Sequence, residues 1–379
     1  MSHVALVIPG LDRIGGAERQ VVLLAKGLVQ RGWRVTVVAL SGTGGNAAGE
    51  LAAAGVGFWS LGMRKGLADP RGWLRFRRWL RQQSPEVVHA HLPHAAWMAR
   101  WSRLCAPVRA VVDTLHSSST GTFGRRLGYR WSDRLSDKVT AVSQAVAVSH
   151  ISAGMVDEKK LIVLPNGVDV TLWKPNEAVR EEMRGELGLD GEFLWFAAGR
   201  LEAVKDYATL LRAMAEVPES ARLVIAGAGL LENELRLLSR QLGLEHRVSF
   251  LGFEPNVRRW MQAADGFVLS SRWEGLPMGL LEAAACALPA VATDVPGTRE
   301  VILHEKTGRL ALVSNPTALA QAMACMMHAS SEEGMAMGER ARNLVVAQFS
   351  LEAVLDKWEA LYRDLLEKNP RPRCWSGSK

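Results

Sequence analysis

The sequence predicts an α/β protein with two doubly wound parallel sheets, and three observations support this prediction. Short apolar runs alternate with segments of helical periodicity, which is typical of parallel sheets with helices on both faces. The alternation stops at the turn Pro165-Asn166-Gly167 and then begins again. A length of 379 residues suits two domains of ordinary size. We therefore expect domains over residues 1–170 and 171–350, and a flexible tail at 369–379.

The first domain is expected to place its strands on short apolar runs rich in β-branched residues. These runs are Val4–Pro9, Val35–Leu40, Val56–Leu61, Glu86–His91, Val108–Leu115 and Lys138–Val142, and the segment Leu161–Leu164 directly precedes the turn at Pro165. Helical periodicity predicts helices between them, including Ala17–Gln30 and Pro93–Arg103.

The second domain repeats the alternation of strands and helices. Strands are expected at Phe193–Ala198, Arg222–Ala226, Val248–Gly252, Gly266–Leu269 and Ala290–Thr293. Helices are expected at Tyr207–Val217, Leu231–Leu242 and Leu276–Cys286, and again from about Ser314 to about Lys368. Because ligands bind beyond the carboxyl ends of strands in such sheets, we expect the site in a cleft where the two sheets face each other.

The composition excludes several classes of protein. No apolar run approaches the length of about 18–20 residues that spans a bilayer, and the N-terminus lacks the basic region of a signal peptide. The cysteines are far apart and form no CxxC pair, so we expect neither a disulfide framework nor a zinc site. They are Cys105, Cys286, Cys325 and Cys374. A cytoplasmic location fits these features.

The charge is unevenly distributed along the chain. Residues 1–170 carry 22 Lys and Arg against 11 Asp and Glu, whereas the remainder carries 24 against 28. A basic half favours an anionic partner, such as a membrane surface, a phosphorylated substrate or nucleic acid. No nucleic-acid-binding motif is present, so we expect no nucleic-acid partner.

Two basic segments leave peripheral contact with an anionic membrane open. Arg71–Arg81 places Trp73, Phe76 and Leu80 on one helical face and arginines on much of the rest, as in an interfacial helix. An ordinary helix with a solvated basic face fits the same pattern. The second segment surrounds Tyr129 and Trp131 with basic side chains. These are Arg125, Arg126, Arg130 and Arg134.

Two turns between a strand and a helix are candidate anion sites. In Gly15–Arg19, backbone amides such as that of Gly16 and the positive end of the helix dipole suit an anion, although a plain turn fits equally well. In Gly199–Leu201, Arg200 is followed by Lys205, and two cations at the carboxyl edge of a strand can neutralise a diphosphate. A solvated helix start is the alternative there.

The most informative segment is Ser271–Ala283, at the junction of a loop and a helix. Glu274 and Glu282 stand eight positions apart, and Gly275 and Gly279 allow a ligand to approach the backbone closely. Carboxylates accept hydrogen bonds from sugar hydroxyls, and the helix N-terminus suits an anion. The segment therefore favours a ligand that is both anionic and rich in hydroxyls.

Three histidines lie near predicted strand ends. We expect His89 and His91 on opposite faces of their strand, with His91 lining the cleft, His89 structural and no metal between them. His116 follows the strand Val108–Leu115 and, from the residues alone, fits a buried structural histidine as well as a functional one.

Several of these motifs occur together in the order of a known family. They are Gly15–Arg19, His89–His91, Pro165–Asp169, Gly199–Leu201 with Lys205, Val248–Gly252, Glu274–Glu282 and Ala292–Asp294. In this combination the chain resembles the retaining glycosyltransferases of family 4, which have GT-B architecture, over about residues 4–365. Within the family it is most similar to bacterial enzymes that build O-antigen, capsule or exopolysaccharide. The family often has glycine after the lysine, where this chain has Asp206.

The resemblance implies roles for individual residues. Arg200 and Lys205 bind the diphosphate of a nucleotide sugar, Glu282 the ribose, and Glu274 the donor sugar. His116 lies beside that sugar, and His91 on the acceptor side. Other donor contacts come from Gly16, Gly275, Met278 and Gly279. The helix at about 351–368 packs back onto the first domain.

The implied reaction is transfer from a UDP-sugar to a lipid-linked or polysaccharide acceptor, with neither a cofactor nor a metal. The helix dipole and two cations take the place of a metal at the departing diphosphate. The acceptor attacks from the front face, so the anomeric configuration is retained. Two alternatives remain: a nucleotide-sugar 2-epimerase of similar plan, and a non-catalytic scaffold of the same fold.

Overall fold

The chain folds into two compact units. The structure is a computed structural model that describes residues 1–12, 14–64 and 69–370. Unit 1 comprises Met1–Gly167 and the segment that begins at Leu351, and unit 2 comprises Val168–Ser350. Each unit contains one parallel sheet with helices packed on it, so the predicted α/β class is confirmed. Much of the expected tail, with Cys374, lies outside the described residues.

Unit 1 has a seven-stranded parallel sheet in the order β3-β2-β1-β4-β5-β6-β7. Its strands are β1 His3–Ile8, β2 Arg34–Ala39, β3 Gly57–Ser60, β4 Val87–His91, β5 Ala110–Leu115, β6 Lys138–Ala141 and β7 Leu161–Val163. Its helices up to the unit boundary are α1 Gly16–Gln30, α2 Gly45–Ala53, α3 Pro70–Gln83, α4 Pro93–Ser102, α5 Phe123–Ser132 and α6 Gln144–Ser152.

Unit 2 has a six-stranded parallel sheet in the order β10-β9-β8-β11-β12-β13. Its strands are β8 Phe193–Ala198, β9 Ala221–Ala226, β10 Val248–Gly252, β11 Gly266–Leu269, β12 Ala290–Thr293 and β13 Gly308–Ala311. Its helices are α7 Glu177–Glu186, α8 Tyr207–Glu216, α9 Glu232–Gln241, α10 Val257–Ala263, α11 Met278–Ala285, α12 Pro296–Arg299, α13 Pro316–Met327 and α14 Ser331–Phe349.

Strand order reverses once in each sheet, and this fixes where ligands can approach. In unit 1 the order reverses between β1 and β4, and in unit 2 between β8 and β11. At such a switch point the loops after two adjacent strands diverge to opposite faces of the sheet and leave a crevice at their carboxyl ends. The predicted site residues of unit 2 lie in these loops and in the first turns of the helix α11 that follows β11.

The last described helix, α15 Leu351–Lys368, belongs to unit 1. Its apolar face, which includes Leu355, Trp358 and Tyr362, is buried in the same core as α1 and β1. At Gly27 on α1 a Cβ atom would stand 2.3 Å from a methyl group of Leu355, so any larger residue would force the Leu355 side chain to move.

A buried ion pair ties three elements of unit 1 together. The guanidinium of Arg100 on α4 donates to both carboxylate oxygens of Asp113 on β5, at 3.0 and 2.7 Å. It also donates to the carbonyl of Tyr129 and the hydroxyl of Ser132 on α5, and it stacks on the Tyr129 ring. Because both charges are fully buried and bonded, the pair fixes α4 and α5 against the strand that leads to His116.

Two differences from the sequence-based expectations have physical reasons. β13 was not predicted, because Gly-Arg-Leu-Ala has no β-branched residue, and only its parallel pairing with β12 makes it a strand. The sequence leaves a membrane-facing role open for the apolar side chains of α3, but Phe76 and Leu80 are buried inside unit 1 and Trp73 is half-buried. In the described part of the chain, no helix is long and apolar enough to span a bilayer.

Candidate functional site

The switch point of unit 2 brings two predicted segments together. The loop after β8 runs from Gly199 to Asp206, and the loop after the adjacent β11 runs from Ser270 to Pro277. The hydroxyl of Ser270 donates to the carbonyl of Lys205 at 2.8 Å. The amide of Arg272 donates to the carbonyl of Val204, also at 2.8 Å. One side-chain and one backbone hydrogen bond therefore fix the two loops to each other.

The centre of this site is an ion pair between predicted residues. Nζ of Lys205 lies 2.5 Å from Oε1 of Glu274, and the hydroxyl of Ser271 donates to the same oxygen at 2.6 Å. Both charged side chains are largely shielded, with 19% and 12% of their surface exposed. Ser271 is a contributor that the sequence analysis missed. The sequence offered one indication of this contact, namely that Ser271 stands three residues before Glu274 and carries a hydroxyl.

Arg200 is brought to the same edge but not into the ion pair. Its side chain is 71% exposed and donates to Glu202 at 2.8 Å. An exposed guanidinium beside a shielded ammonium is accessible to an incoming anion, and it loses less hydration on binding than an ammonium would, because guanidinium is the more weakly hydrated group. The placement suits a residue that contacts a diphosphate.

Asp206, the departure from the family pattern, has a left-handed backbone with φ of 46°. Glycine adopts this conformation without strain, whereas a residue with a Cβ atom does not. The Asp206 carboxylate accepts hydrogen bonds from Arg272 Nε at 3.0 Å and Ser314 Oγ at 2.9 Å. Burial raises its pKa, but these bonds outweigh burial and hold the pKa below its usual value. The aspartate thus anchors both site loops.

The helix α11 completes the site of unit 2. It begins after Pro277, and Met278 and Gly279 lie in its first turn. A Cβ atom at Gly279 would stand 3.3 Å from the ring of Phe267, so glycine lets the helix start pack close to β11. Gly275 is buried in the preceding loop, and Glu282 is half-buried on the second turn of the helix.

In unit 1 the predicted anion site at the start of α1 already contains a carboxylate. The amide of Gly15 donates to Oε2 of Glu18 at 3.1 Å, and α1 begins at Gly16. A ligand phosphate at these amides therefore has to coexist with Glu18 or displace it.

The second predicted group of unit 1 is a pair of histidines at the ends of β4 and β5. Nδ1 of His91 lies 3.0 Å from Nε2 of His116. His91 is 2% exposed and His116 is half-buried. Burial lowers the pKa of His116 to about 4, and burial with the nearby His89 and His116 lowers that of His91 well below its usual value. Both rings are neutral at neutral pH.

The expectation that His89 and His91 occupy opposite faces was wrong. Residues two positions apart on a strand share a face, and the two ring centroids lie 4.1 Å apart. His89 is fully buried, and its ring nitrogens bond to Tyr362 Oη at 2.7 Å and Thr114 Oγ1 at 2.6 Å. His89 therefore supports the ring of His91.

A surface of unit 1 combines exposed aromatic and basic side chains. We call it the aromatic surface; it consists of Trp97, Trp101, Phe123, Leu127 and Trp131 on α4 and α5. Phe123 and Trp131 are 77% and 75% exposed, and Trp97 packs against Gly128 on the neighbouring helix. The predicted basic cluster on and after α5 is also exposed, namely Arg125, Arg126, Arg130 and Arg134. The arginines at 71, 75, 78 and 81 on α3 are exposed as well.

Two family models match the chain, one in each half. The model of Glycosyltransferase Family 4 matches residues 14–172, and the model of Glycosyl transferases group 1 matches residues 179–344. Together they span most of both units.

Individual relatives agree with these matches. The UDP-Gal:alpha-D-GlcNAc-diphosphoundecaprenol alpha-1,3-galactosyltransferase of Escherichia coli is 26% identical over 319 residues, which are 79% of this chain and 81% of that protein. The lipopolysaccharide core biosynthesis mannosyltransferase LpcC of Rhizobium leguminosarum bv. viciae is 30% identical over 63% of this chain and 68% of its own length. The crystal structure of Anabaena HepE in complex with UDP has a TM-score of 0.84 at 22% identity, covering 96% of this chain and 100% of that chain. This likeness confirms the predicted GT-B class of fold.

Proposed function

Because this chain belongs to glycosyltransferase family 4, we propose that it transfers a hexosyl or N-acetylhexosaminyl unit from a UDP-sugar to a lipid-linked or polysaccharide acceptor, with retention. The reaction then contributes to a cell-surface glycan such as O-antigen, capsule or exopolysaccharide. Two comparisons support this choice of substrates: the Escherichia coli relative is named for a UDP-sugar donor and a diphosphoundecaprenol acceptor, and the Anabaena structure contains UDP.

The single observation that carries the proposal is the pairing of Lys205 with Glu274 beside Arg200 at a sheet switch point. A nucleotide sugar presents a diphosphate next to a ring of hydroxyls. Cations bind the diphosphate, and a carboxylate accepts hydrogen bonds from the hydroxyls. In the proposed arrangement Arg200 and Lys205 bind the diphosphate with the amides of Met278 and Gly279. Glu274 and Gly275 then contact the donor sugar, and the ribose hydroxyls go to Glu282.

In the proposed mechanism the protein stabilises the leaving group rather than forming a covalent intermediate. As the glycosidic bond lengthens, negative charge develops on the diphosphate, where Arg200, Lys205 and the start of α11 stabilise it without a metal. The acceptor hydroxyl attacks the oxocarbenium-like centre on the face from which the diphosphate departs. The departing diphosphate takes the proton of that hydroxyl. The pKa of His116, about 4, makes this ring a poor base at neutral pH. We assign it a hydrogen-bonding role beside the donor sugar, with His91 and the amide of Gly16 in supporting positions.

The proposal extends to the partner surface. A polyprenyl-linked acceptor lies at a membrane, and the aromatic surface with its arginines has the composition of an interfacial contact. We propose that unit 1 makes peripheral contact there with an anionic membrane from the cytoplasmic side. The arginines of α3 add positive charge, while Phe76 and Leu80 of this helix are buried inside the unit.

The experiment that tests the proposed function is a transfer assay. Purified protein is incubated with UDP-galactose, UDP-glucose or UDP-N-acetylglucosamine and with N-acetylglucosaminyl diphosphoundecaprenol, and the products are analysed by mass spectrometry and NMR. The proposal predicts an extended glycolipid with an α-linkage from an α-linked donor. An altered UDP-sugar formed without an acceptor would instead identify an epimerase, and a trapped glycosyl-enzyme would overturn the one-step mechanism.

A further inference from the structure

The contact between His91 and His116 contains information about where their protons lie. Nδ1 of His91 and Nε2 of His116 are 3.0 Å apart, within hydrogen-bond distance. The pKa values of both rings are lowered, so each ring carries one proton at neutral pH. One of the two facing nitrogens must then donate and the other accept, and only two proton arrangements satisfy the contact.

The other nitrogen of His91 distinguishes these arrangements. Nε2 of His91 is buried and has no hydrogen-bond partner among the residues that the structure describes. If His116 donates, the His91 proton must lie on Nε2, which leaves a buried N–H without an acceptor. If His91 donates from Nδ1, Nε2 retains only a lone pair. Orphaned buried N–H donors are rare in native proteins, and unmatched acceptors are less so.

We propose that His91 is a positioning residue that donates its Nδ1–H to Nε2 of His116 and thereby fixes the His116 proton on Nδ1. The meaning of this arrangement for catalysis rests on the proposed function. With its proton on Nδ1, the neutral ring of His116 offers this nitrogen as a hydrogen-bond donor, which suits an oxygen of the donor sugar. In the opposite arrangement the same nitrogen would be an acceptor.

The surroundings of His91 hold its ring in the required orientation. The ring of His89 lies against it at 4.1 Å between centroids, and His89 is itself bonded to Tyr362 on α15 and to Thr114 on β5. On the chain side, Leu92 has φ of 71° and ψ of 154°, a conformation that is unfavourable for residues other than glycine. The backbone directly after His91 is therefore held in a strained turn, which the surrounding packing must enforce.

The direct test is the protonation of the histidine nitrogens in the ligand-free protein. Full-length protein labelled with ¹⁵N-histidine is examined at pH 7.5 by long-range ¹H–¹⁵N NMR, with His91→Asn and His116→Asn used for assignment. The proposal predicts a protonated Nδ1 and an unprotonated Nε2 for His116. A proton on Nε2 of His116 would overturn it.

Two substitutions connect the tautomer to catalysis. His91→Leu removes the donor, so we expect His116 to become a mixture of tautomers and kcat to fall about tenfold, with the KM for the donor changed less than about twofold. His91→Asn places an amide donor near the position of Nδ1 and should restore kcat to within about threefold of wild type. An unchanged His116 tautomer in His91→Leu, or equal losses in the two variants, would overturn the proposal.

The matched control is His150→Leu. His150 is another buried histidine of unit 1, and its Nδ1 lies 3.0 Å from the backbone carbonyl of Val146 on its own helix. This variant should leave the spectrum of His116 and kcat unchanged, and a change in the His116 tautomer would count against the proposal. Because the spectrum is recorded without substrate, a correct tautomer in a protein that transfers no sugar would refute the proposed function alone.

Discussion

Nζ of Lys205 lies 2.5 Å from Oε1 of Glu274, although the two residues are 69 positions apart in the chain. The pair joins the loops that follow β8 and β11, the strands between which the sheet order of unit 2 reverses. Without a ligand, the lysine that we assign to a diphosphate is neutralised by the carboxylate that we assign to a sugar. An incoming diphosphate must therefore compete with Glu274 for Lys205.

Substitutions of Lys205 and Glu274 should affect the UDP affinity differently. Lys205→Met removes a charge-assisted contact, so UDP should bind about 10–100-fold more weakly. Glu274→Gln removes the competing carboxylate, so UDP should bind at least as tightly as to wild type, while kcat for transfer falls about 100-fold. Isothermal titration calorimetry with UDP measures the first quantity, and the transfer assay the second.

The control for this pair is Arg222→Met, which breaks the ion pair of Arg222 with Glu192 at the amino-terminal edge of the same sheet. It should leave both UDP affinity and kcat unchanged. Weaker UDP binding in Glu274→Gln than in Lys205→Met would show that the assigned roles are reversed.

At Asp206 the effects of backbone strain and hydrogen bonding can be separated. Asp206→Gly and Asp206→Ala both lose the bonds to Arg272 and Ser314, but only alanine keeps a Cβ atom at φ of 46°. We expect Asp206→Ala to lower the free energy of unfolding by about 1 kcal/mol more than Asp206→Gly. Urea denaturation of both variants measures the difference. Equal stabilities would contradict a strain at this position.

The buried histidines predict a loss of stability in mild acid. Burial lowers the pKa of a set of histidines in unit 1, that of His116 to about 4. The others are His3, His89, His91 and His150. The unfolded chain takes up these protons near pH 6.5 and the folded protein only at lower pH. Stability should therefore be constant above about pH 6.5 and fall as the pH decreases towards 4, by up to about 1.4 kcal/mol per pH unit for each histidine.

Urea denaturation between pH 7.5 and 5 tests this dependence. His116→Asn should reduce the slope near pH 5 by about the contribution of one histidine. Stability that is equal or higher at pH 5 would contradict the account, as would an unaltered slope in His116→Asn.

Much of the fold could be predicted because strands buried on both faces are continuous apolar runs, as in β1 and β8. β13 could not, because its residues have no strand preference of their own. The spacing of Glu274 and Glu282 indicated the site. The ion pair between Glu274 and Lys205, however, depends on β8 and β11 being adjacent, and strand order is a property of the whole sheet. The wrong prediction for His89 and His91 did not depend on tertiary structure, because the two-residue period of a strand already places residues two positions apart on the same face.

The aromatic surface predicts selective membrane binding. The double substitution Phe123→Ser and Trp131→Ser removes its two most exposed aromatic residues. It should reduce co-sedimentation with phosphatidylglycerol vesicles about tenfold, because apolar insertion and charge attraction act together there. Wild-type protein should bind phosphatidylcholine vesicles weakly. Met335→Ser, an exposed apolar residue on α14 of unit 2, is the control. Equal binding by the double variant and the control would contradict the proposed surface.

The most direct test of the central claim, that unit 2 binds a nucleotide diphosphate through Arg200 and Lys205, is a thermal-shift measurement. The Tm of wild type, Arg200→Ala and Arg240→Ala is measured in the presence of UDP, GDP, ADP, dTDP or CMP. Arg240→Ala is the control, because Arg240 is an exposed arginine on α9 of the same unit. We predict that UDP at about 100 times its Kd raises the Tm of wild type and Arg240→Ala by about 5–10 °C and raises that of Arg200→Ala much less. The absence of a shift with every nucleotide, or an undiminished UDP shift in Arg200→Ala, would contradict the claim.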